Sequence, residues 1–279
     1  MVVTNFPWLT VLVALPAAGA ALLGFVPPLR RAAGRVIALA IALVELAIGV
    51  YAAVTVFDWS APASYQLYES RAWIPQIGVT WSVAVTSLGL VMILLALALV
   101  PLVLIAGWDE DEDRGAYPAL VLALQAFMVL IFAAFDLAVF YFAFEAMLIP
   151  LYFMIGRYGV GDEAARHKAA MKFLLYSLFG GLIMLGGVLF IWALGSSTQS
   201  NTVAFFRMDT LAALLPNLSA SVQMVVFVSF MVTFAIKAPM VPVHTWLPDT
   251  AAVARPGTSV LLVGVLDKIG TFGMITMCL

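Results

Sequence analysis

The chain has 279 residues, of which 65% are hydrophobic and 10% charged, and its formal net charge is −2. An average soluble domain is about half apolar and about a quarter charged, so this composition indicates an integral membrane protein. The small net charge does not favour nucleic acid as a partner. A single cysteine, Cys278, excludes an internal disulfide and a cluster of iron and sulfur held by this chain alone.

The two histidines argue against a haem held between them, because His167 lies in a polar loop and His244 in a distant hydrophobic segment. The sequence therefore predicts no redox cofactor and no metal in this chain. At the N-terminus, the basic residues Arg30, Arg31 and Arg35 follow the first apolar stretch instead of preceding it. A cleaved signal peptide has the reverse order, so we expect a retained first span with its N-terminus outside.

Long apolar runs predict an all-α, polytopic bundle of transmembrane helices in a single membrane domain over residues 1–279. The eight expected spans lie near residues 7–26, 36–57, 84–106, 116–135, 137–156, 173–195, 221–252 (interrupted) and 258–279. The loop 58–82 carries three tryptophans and is predicted to be an outer interfacial segment.

The basic residues fix the orientation of these spans. Nine fall in the predicted inner loops, namely Arg30, Arg31, Arg35, Arg114, Arg157, Arg166, Lys168, Lys172 and Arg255. Only Arg71 and Arg207 fall in the outer loops, which is a clear positive-inside bias. The acidic run 108–115 is predicted to be a solvated inner loop, since acidic residues contribute little to topology.

Glu145 is the only charged residue between Asp136 and Arg157, in a stretch long enough to cross a bilayer. A charge at the centre of a membrane helix costs ~2.5–3.5 kcal/mol on insertion scales, and such residues often mark ion pathways. A span rich in Leu and Phe can nevertheless carry one acid. Glu145 can therefore be read either as a functional group or as a protonated structural residue.

Lys237 ends an uncharged stretch and is followed by "APMVPVHTWLP", in which three prolines prevent a continuous helix. Broken helices at membrane depth are tolerated only where protein or water satisfies the freed carbonyls, and they recur in transporters. The alternative, that Lys237 extends from a helix end to the membrane surface, is disfavoured because Val241 to Leu247 continue the apolar segment.

Four further groups lie within predicted spans. Lys268 has Asp267 beside it, but adjacent residues do not share a helix face, so either could pair with another helix. His244 suits a proton relay between lysines, or a hydrogen bond to a freed carbonyl. Glu45, in the second span, has no charged companion, and a structural or supporting role is favoured.

Three stretches resemble a known family. "DLAVFYFAFEAMLIPLYFMIGRYG" (136–159), "KAPMVPVHTWLPDT" (237–250) and "PGTSVLLVGVLDKIGTFG" (256–273) are similar to the antiporter-like subunits of respiratory complex I. The sequence after the glutamate is most similar to the M-subunit branch of bacterial NADH–quinone oxidoreductases. The resemblance implies a 14-helix fold of two inverted repeats, of which this chain would contain the first repeat and neighbouring helices, with the second repeat absent.

The resemblance also implies roles for individual residues. Glu145 matches the family's mid-membrane glutamate, Lys237 and Lys268 match its two lysines, and His244 matches the histidine of its "HTWLP" segment. Opening and closing of a Glu145–Lys237 ion pair would then move protons toward Lys268, through His244 or water. Asp267, where the family more often has an apolar residue, and the missing second relay histidine in "LPDTAA" are departures from the pattern.

At the level of the whole protein, the resemblance implies a non-redox subunit of a proton-pumping NADH:quinone oxidoreductase in the bacterial inner membrane. NADH, FMN, iron–sulfur clusters and quinone would be held by other subunits. The expected partners are adjacent antiporter-like subunits and lipids. Two alternatives remain open: a subunit of a multi-subunit cation/proton antiporter, and a structural scaffold without an ion path.

Overall fold

The computed structural model of the protein describes residues 6–108, 116–196 and 204–278. Residues 109–115 of the acidic run, including Arg114, lie outside the described residues. The helices are α1 Trp8–Phe25, α2 Pro27–Thr55, α3 Ser87–Ala106, α4 Tyr117–Ala133, α5 Leu137–Ala146, α6 Leu148–Gly156, α7 Glu163–Ser196, α8 Met208–Leu214, α9 Ala220–Lys237, α10 Trp246–Val253, α11 Pro256–Leu261 and α12 Asp267–Gly273. The strands are β1 Gln66–Ile74 and β2 Val79–Val85.

The described part of the chain forms a mostly helical bundle with seven helices or helix pairs long and apolar enough to cross a membrane. The remaining predicted span, 116–135, is α4, an apolar helix of 17 residues. The predicted interruption of span 221–252 is confirmed, since α9 ends at Lys237 and α10 begins at Trp246. Helix α7 begins ten residues before its predicted start, because the helix-forming sequence EAARHKAAMK precedes its apolar run.

The predicted helical membrane bundle is confirmed, and the loop 58–82 adds two short strands to it. There β1 and β2 pair in an antiparallel hairpin, with a short 3₁₀ turn between them. The strands contain the aromatic and β-branched residues typical of sheets, as in VTWSVAV. The second strand runs to Val85, so the third span begins at Ser87 and not at residue 84.

This hairpin holds together the ends of two helices. The Glu69 carboxylate accepts hydrogen bonds from the first-turn amides of α1, at 2.7 Å from Leu9 N and 3.2 Å from Thr10 N. Asp136, the fully buried N-cap of α5, accepts from the Thr80 amide at 2.9 Å and the Thr80 hydroxyl at 2.8 Å. The Glu69 carboxylate thus accepts from first-turn amides of α1, which have no acceptor within their own helix. The Asp136 carboxylate accepts from an amide of the buried strand β2 that would otherwise be unpaired.

Helix α4 is the centre of the N-terminal half. It packs against α1, α2, α3, α5 and α6, and most of its residues are buried. A helix that is apolar on all sides is expected in such a position. The C-terminal half is built around α7, which packs against α6, α9 and α10, while α12 packs against α9. The two halves meet where α5 contacts both α4 and α7, and where α11 packs against α3.

We predict that Asp136→Ala destabilises the protein by roughly 2–4 kcal/mol, because it removes a helix cap and leaves the buried Thr80 amide without an acceptor. The measurement is the thermal unfolding of the purified protein in detergent. The matched control is Asp162→Ala, which removes the exposed cap of α7 and its bonds to Ala164 N and Ala165 N. We expect about 1 kcal/mol there. Equal losses in the two variants would contradict the structural role given to Asp136.

Candidate functional site

The helix that carries Glu145 is interrupted immediately after it. Helix α5 ends at Ala146, one residue forms a turn, and α6 continues from Leu148. Pro150 lacks the amide that would bond to the carbonyl of Ala146, which explains an interruption at this point. The sequence reading placed Glu145 in one continuous helix. In the structure Met147 keeps helical backbone dihedrals, so α5 and α6 together form one span with a local irregularity just after Glu145.

The Glu145 carboxylate lies against the backbone of α7. A Cβ atom on Gly181 would overlap Oε1 of Glu145, so no larger residue fits at this position without moving the acid. Oε1 is buried and has no hydrogen-bond partner among the described residues. Glu145 thus lies in a confined site in which its Oε1 accepts no hydrogen bond from the described residues.

Lys237 is the last residue of α9 and is only 3% exposed. Its ammonium nitrogen lies 4.9 Å from the ring centroid of Phe144 and 5.8 Å from that of Phe173. Aromatic faces attract a cation, and more strongly when water is excluded. Across the described residues, Nζ has no hydrogen-bond partner. A buried cation in this condition is stabilised mainly by the rings and by more distant charges.

Two acids supply those charges. Lys237 interacts electrostatically with Glu145 and with Asp267, one on α5 and one at the start of α12. Neither acid is hydrogen-bonded to the lysine, so the Glu145–Lys237 ion pair expected from the sequence is not a contact pair in this structure. Glu145 and Lys237 therefore interact across a distance longer than a hydrogen bond, which we call an open pair.

At the break after α9, groups of the protein donate hydrogen bonds to some of the backbone carbonyls. The indole of Trp246 donates to the carbonyl of Ile236 at 2.9 Å, and the amide of Met240 donates to Ala235 O at 2.9 Å. His244 lies within the break, with Nδ1 buried and unpartnered in the described structure. The histidine therefore lies in the segment that follows Lys237, and its Nδ1 is not bonded to a freed carbonyl.

Asp267 and Lys268 lie on different faces of their helix, because adjacent residues do not share a face. Asp267 has a buried Oδ1 without a partner in the described ranges, and it interacts electrostatically with Lys268 and also with Lys237. One turn later, Gly270 lets α12 approach α9 closely, since a Cβ there would lie 2.6 Å from Ala238 N. Lys268 is exposed and donates to Val263 O at 2.8 Å. The lysine predicted to receive the proton therefore points away from Lys237.

Glu45 lies apart from this cluster. It is fully buried in α2, a helix that packs against α1, α3 and α4 and not against the helices that carry Lys237 or Asp267. The structure thus brings together Glu145, Lys237, Asp267 and the break containing His244. It does not bring Glu45 into the site. Within the described residues, no group of three or more His, Cys, Asp or Glu could hold a metal ion.

Comparison with known proteins identifies the family. Residues 134–279, which contain the whole cluster around Lys237, match the model described as NADH:quinone oxidoreductase/Mrp antiporter, TM. The chain belongs to this family. Its homologues include NADH-quinone oxidoreductase subunit M of Mycobacterium tuberculosis, 38% identical over 99% of this chain and 55% of that protein. NAD(P)H-quinone oxidoreductase chain 4 1 of Thermosynechococcus vestitus is 35% identical over 98% of this chain and 50% of that protein.

Solved structures agree with this assignment. A chain in respiratory complex I from Thermus thermophilus superposes with a TM-score of 0.81 at 29% identity, over 97% of this chain and 52% of that one. A chain of the Mrp complex from Dietzia sp. superposes at 0.79 with 20% identity, over 96% of this chain and 28% of that one, and shows the fold alone. This subunit M homologue spans about half the length of the curated relatives that it matches.

Sequence reasoning missed several parts of the site in this subunit M homologue. The two phenylalanines around Lys237 were not singled out, and neither was the glycine that faces Glu145. The sequence does carry a signal for the second, because adjacent glycines at 180 and 181 in the middle of a long apolar helix indicate close approach of another group. The faces of Asp267 and Lys268 depend on the π-helical turn Leu262–Leu266 before them, which has no comparable signal.

We predict that Gly181→Ala destabilises the protein by roughly 1–3 kcal/mol, because the new methyl group collides with the Glu145 carboxylate in a packed interior. Thermal unfolding of the purified protein measures the effect. Gly186→Ala is the control on the same helix, since a Cβ there meets nothing within 4 Å. Alanine forms helix better than glycine, so we expect the control to be neutral or slightly stabilising. A neutral Gly181→Ala would contradict the close contact with Glu145.

Proposed function

We propose that this subunit M homologue is a proton-translocating membrane subunit of an NADH–quinone oxidoreductase, and that Glu145, Lys237, His244 and Lys268 form its proton relay. The observation that carries the proposal is the condition of Lys237. A cation that is 3% exposed, unbonded among the described residues and set between two acids at a helix break can change its charge with small movements around it.

The movable contact in the proposed mechanism is between Glu145 and Lys237. Two unit charges at ~4 Å interact by ~4 kcal/mol at an effective dielectric constant of ~20, and by about half of that at ~8 Å. Closing the pair therefore favours the protonated lysine, and opening it favours release of the proton. We propose that the irregular turn at Met147, between α5 and α6, lets the carboxylate move.

We propose two acceptors for the proton released from Lys237: Asp267, which interacts with the lysine electrostatically, and His244, which lies in the break that follows it. We propose that Asp267 takes part in the relay because it interacts electrostatically with Lys237, while Lys268 is exposed. A proton that passes from Asp267 to Lys268 would cross from the packed face of one helix to its exposed face. Water would complete the path between these groups.

The assignment of the whole protein follows from the same proposal. The chain would be a single membrane domain containing the first repeat of the antiporter-like fold, in the bacterial inner membrane with its N-terminus outside. It would assemble with adjacent antiporter-like subunits and lipids. Quinone reduction in other subunits, with their NADH, FMN and iron–sulfur clusters, would drive the movement of Glu145.

A second candidate function is a subunit of a multi-subunit cation/proton antiporter. It is supported by the family model, whose description includes Mrp antiporters, and by the shared fold of the Dietzia chain. Proton movement driven by an imposed sodium gradient without NADH would favour this function. A structural scaffold would instead predict that loss of the charges impairs assembly of the complex and leaves transport per assembled complex unchanged.

We predict that Glu145→Gln and Lys237→Ala each lower NADH-driven proton pumping per assembled complex by at least about tenfold, since each removes a partner that must change charge. The measurement is quinone-coupled proton uptake by inverted membrane vesicles, normalised to the amount of assembled complex. Glu163→Gln is the matched control, because Glu163 is exposed at the start of α7, with 75% of its side chain accessible.

The same vesicle assay tests the proposed step through Asp267 on α12. Asp267→Asn is expected to lower pumping while preserving assembly, since asparagine has nearly the same shape but does not exchange a proton in this range. Pumping at the wild-type stoichiometry in Glu145→Gln or Lys237→Ala would overturn the relay. Wild-type pumping in Asp267→Asn alone would remove only the proposed step through Asp267.

A further inference from the structure

A second group of buried polar atoms lies in the N-terminal helices, apart from the Lys237 cluster. Glu45 on α2 and Gln125 on α4 are both fully buried. Both carboxylate oxygens of Glu45 and both amide atoms of Gln125 lack a hydrogen-bond partner among the described residues. Buried polar atoms in native proteins are almost always paired with protein or ordered water, so four such atoms in two neighbouring helices require an explanation.

The packing around Gly19 places these two side chains at one depth. A Cβ on Gly19 would lie 2.5 Å from Ile41 Cδ1 and 2.9 Å from Leu122 Cδ1, so α2 and α4 meet α1 at the same level. Glu45 follows Ile41 by four residues and Gln125 follows Leu122 by three. Such spacings put each on the same face of its helix as its contact residue, about one turn further along. Both helices run in the same direction through the membrane, so the two side chains point into one region beside α1.

Helix α1 contributes a third polar group at this level. Pro16 lies about one turn from Gly19 in the same direction, and it is buried within the helix. A proline inside a helix lacks the amide that would pair with the carbonyl four residues earlier, so the carbonyl of Leu12 is freed. Leu12 is 1% exposed, which places this carbonyl on the packed side of α1.

The surroundings determine the charge of Glu45. Helices α1, α3 and α4, which pack against α2, contain no Asp, Glu, Lys, Arg or His. The nearest basic residue on α2 is Arg35, ten residues or about 15 Å along the helix. An ionised carboxylate buried without a counter-charge is very unfavourable, and such a group neutralises by binding a proton. A neutral carboxylic acid also gains a donor, which the unpaired acceptors nearby can use.

We propose that Glu45, Gln125 and the Leu12 carbonyl form a buried site that binds a proton and ordered water, with Glu45 as a neutral carboxylic acid. Water bridges polar groups that are too far apart to bond directly, and buried waters typically make about three hydrogen bonds. The Glu45 hydroxyl donates into this network, and the Gln125 amide supplies both a donor and an acceptor. The proposal rests on α1, α2 and α4 and is independent of the relay through Lys237.

Infrared difference spectroscopy on the purified complex containing this chain tests the site at neutral pH. We expect the wild-type minus Glu45→Gln spectrum to contain one carbonyl stretching band of a protonated carboxylic acid. Exchange into deuterated water should lower its frequency. Gln125→Leu should raise its frequency, because the acid loses hydrogen-bonded neighbours. Glu163→Gln, which removes an exposed acid, is the control and should remove no such band.

Three results would overturn the proposal. Absence of the band means that Glu45 is ionised. A band that does not respond to deuterated water means that the proton does not exchange with water. A band unchanged by Gln125→Leu means that Gln125 is not part of the site. If Glu45→Gln prevents purification, Glu45→Asp keeps the acid, and its difference spectrum should show the band shifted instead of lost; no shift would also overturn the proposal.

Discussion

The organisation of the C-terminal half depends on one constraint, the burial of a lysine with no hydrogen-bond partner in the described structure. Lys237 is 3% exposed at the end of α9, and a charge in such a place is tolerated only where its surroundings replace water. Several groups together replace the water that would otherwise solvate the ammonium group. The ring of Phe144 faces the ammonium group, and two acids on separate helices supply negative charge at longer range. Because no single partner holds the lysine, no single bond must break for its charge to change.

Close approach of the helices is what makes this arrangement possible, and glycine provides it at two points. Gly181 lets α7 lie against the Glu145 carboxylate, and Gly270 lets α12 lie against the backbone at the end of α9. In lipid, small residues are the usual means by which helices approach closely, since apolar association has little driving force there. The two glycines therefore fix the distances between Lys237 and its acids as directly as the charged residues do.

The sequence predicted the helical membrane bundle and the break after Lys237, because length, hydropathy and proline spacing act locally. It did not predict which charges face one another. Asp267 and Lys268 are adjacent, and the π-helical turn Leu262–Leu266 contributes to which of them faces Lys237. The hairpin at 66–85 was also missed, because the apolar pattern of a membrane chain obscures the strand signal at its outer loop. Such features depend on contacts between distant segments, which hydropathy does not record.

The two mid-membrane glutamates show why residue type and depth alone do not define a role. Glu145 shares its surroundings with a buried cation, so movement of the acid changes the energy of a charge pair. Glu45 is buried among helices without charged residues, and the proposed site there lets it bind a proton and keep it. In the two proposals, the same carboxyl group serves as one half of a movable pair in Glu145 and as a stable proton-binding site in Glu45. The difference lies in the helices that surround each acid, and it separates the site at α9 from the N-terminal helices that pack beside it.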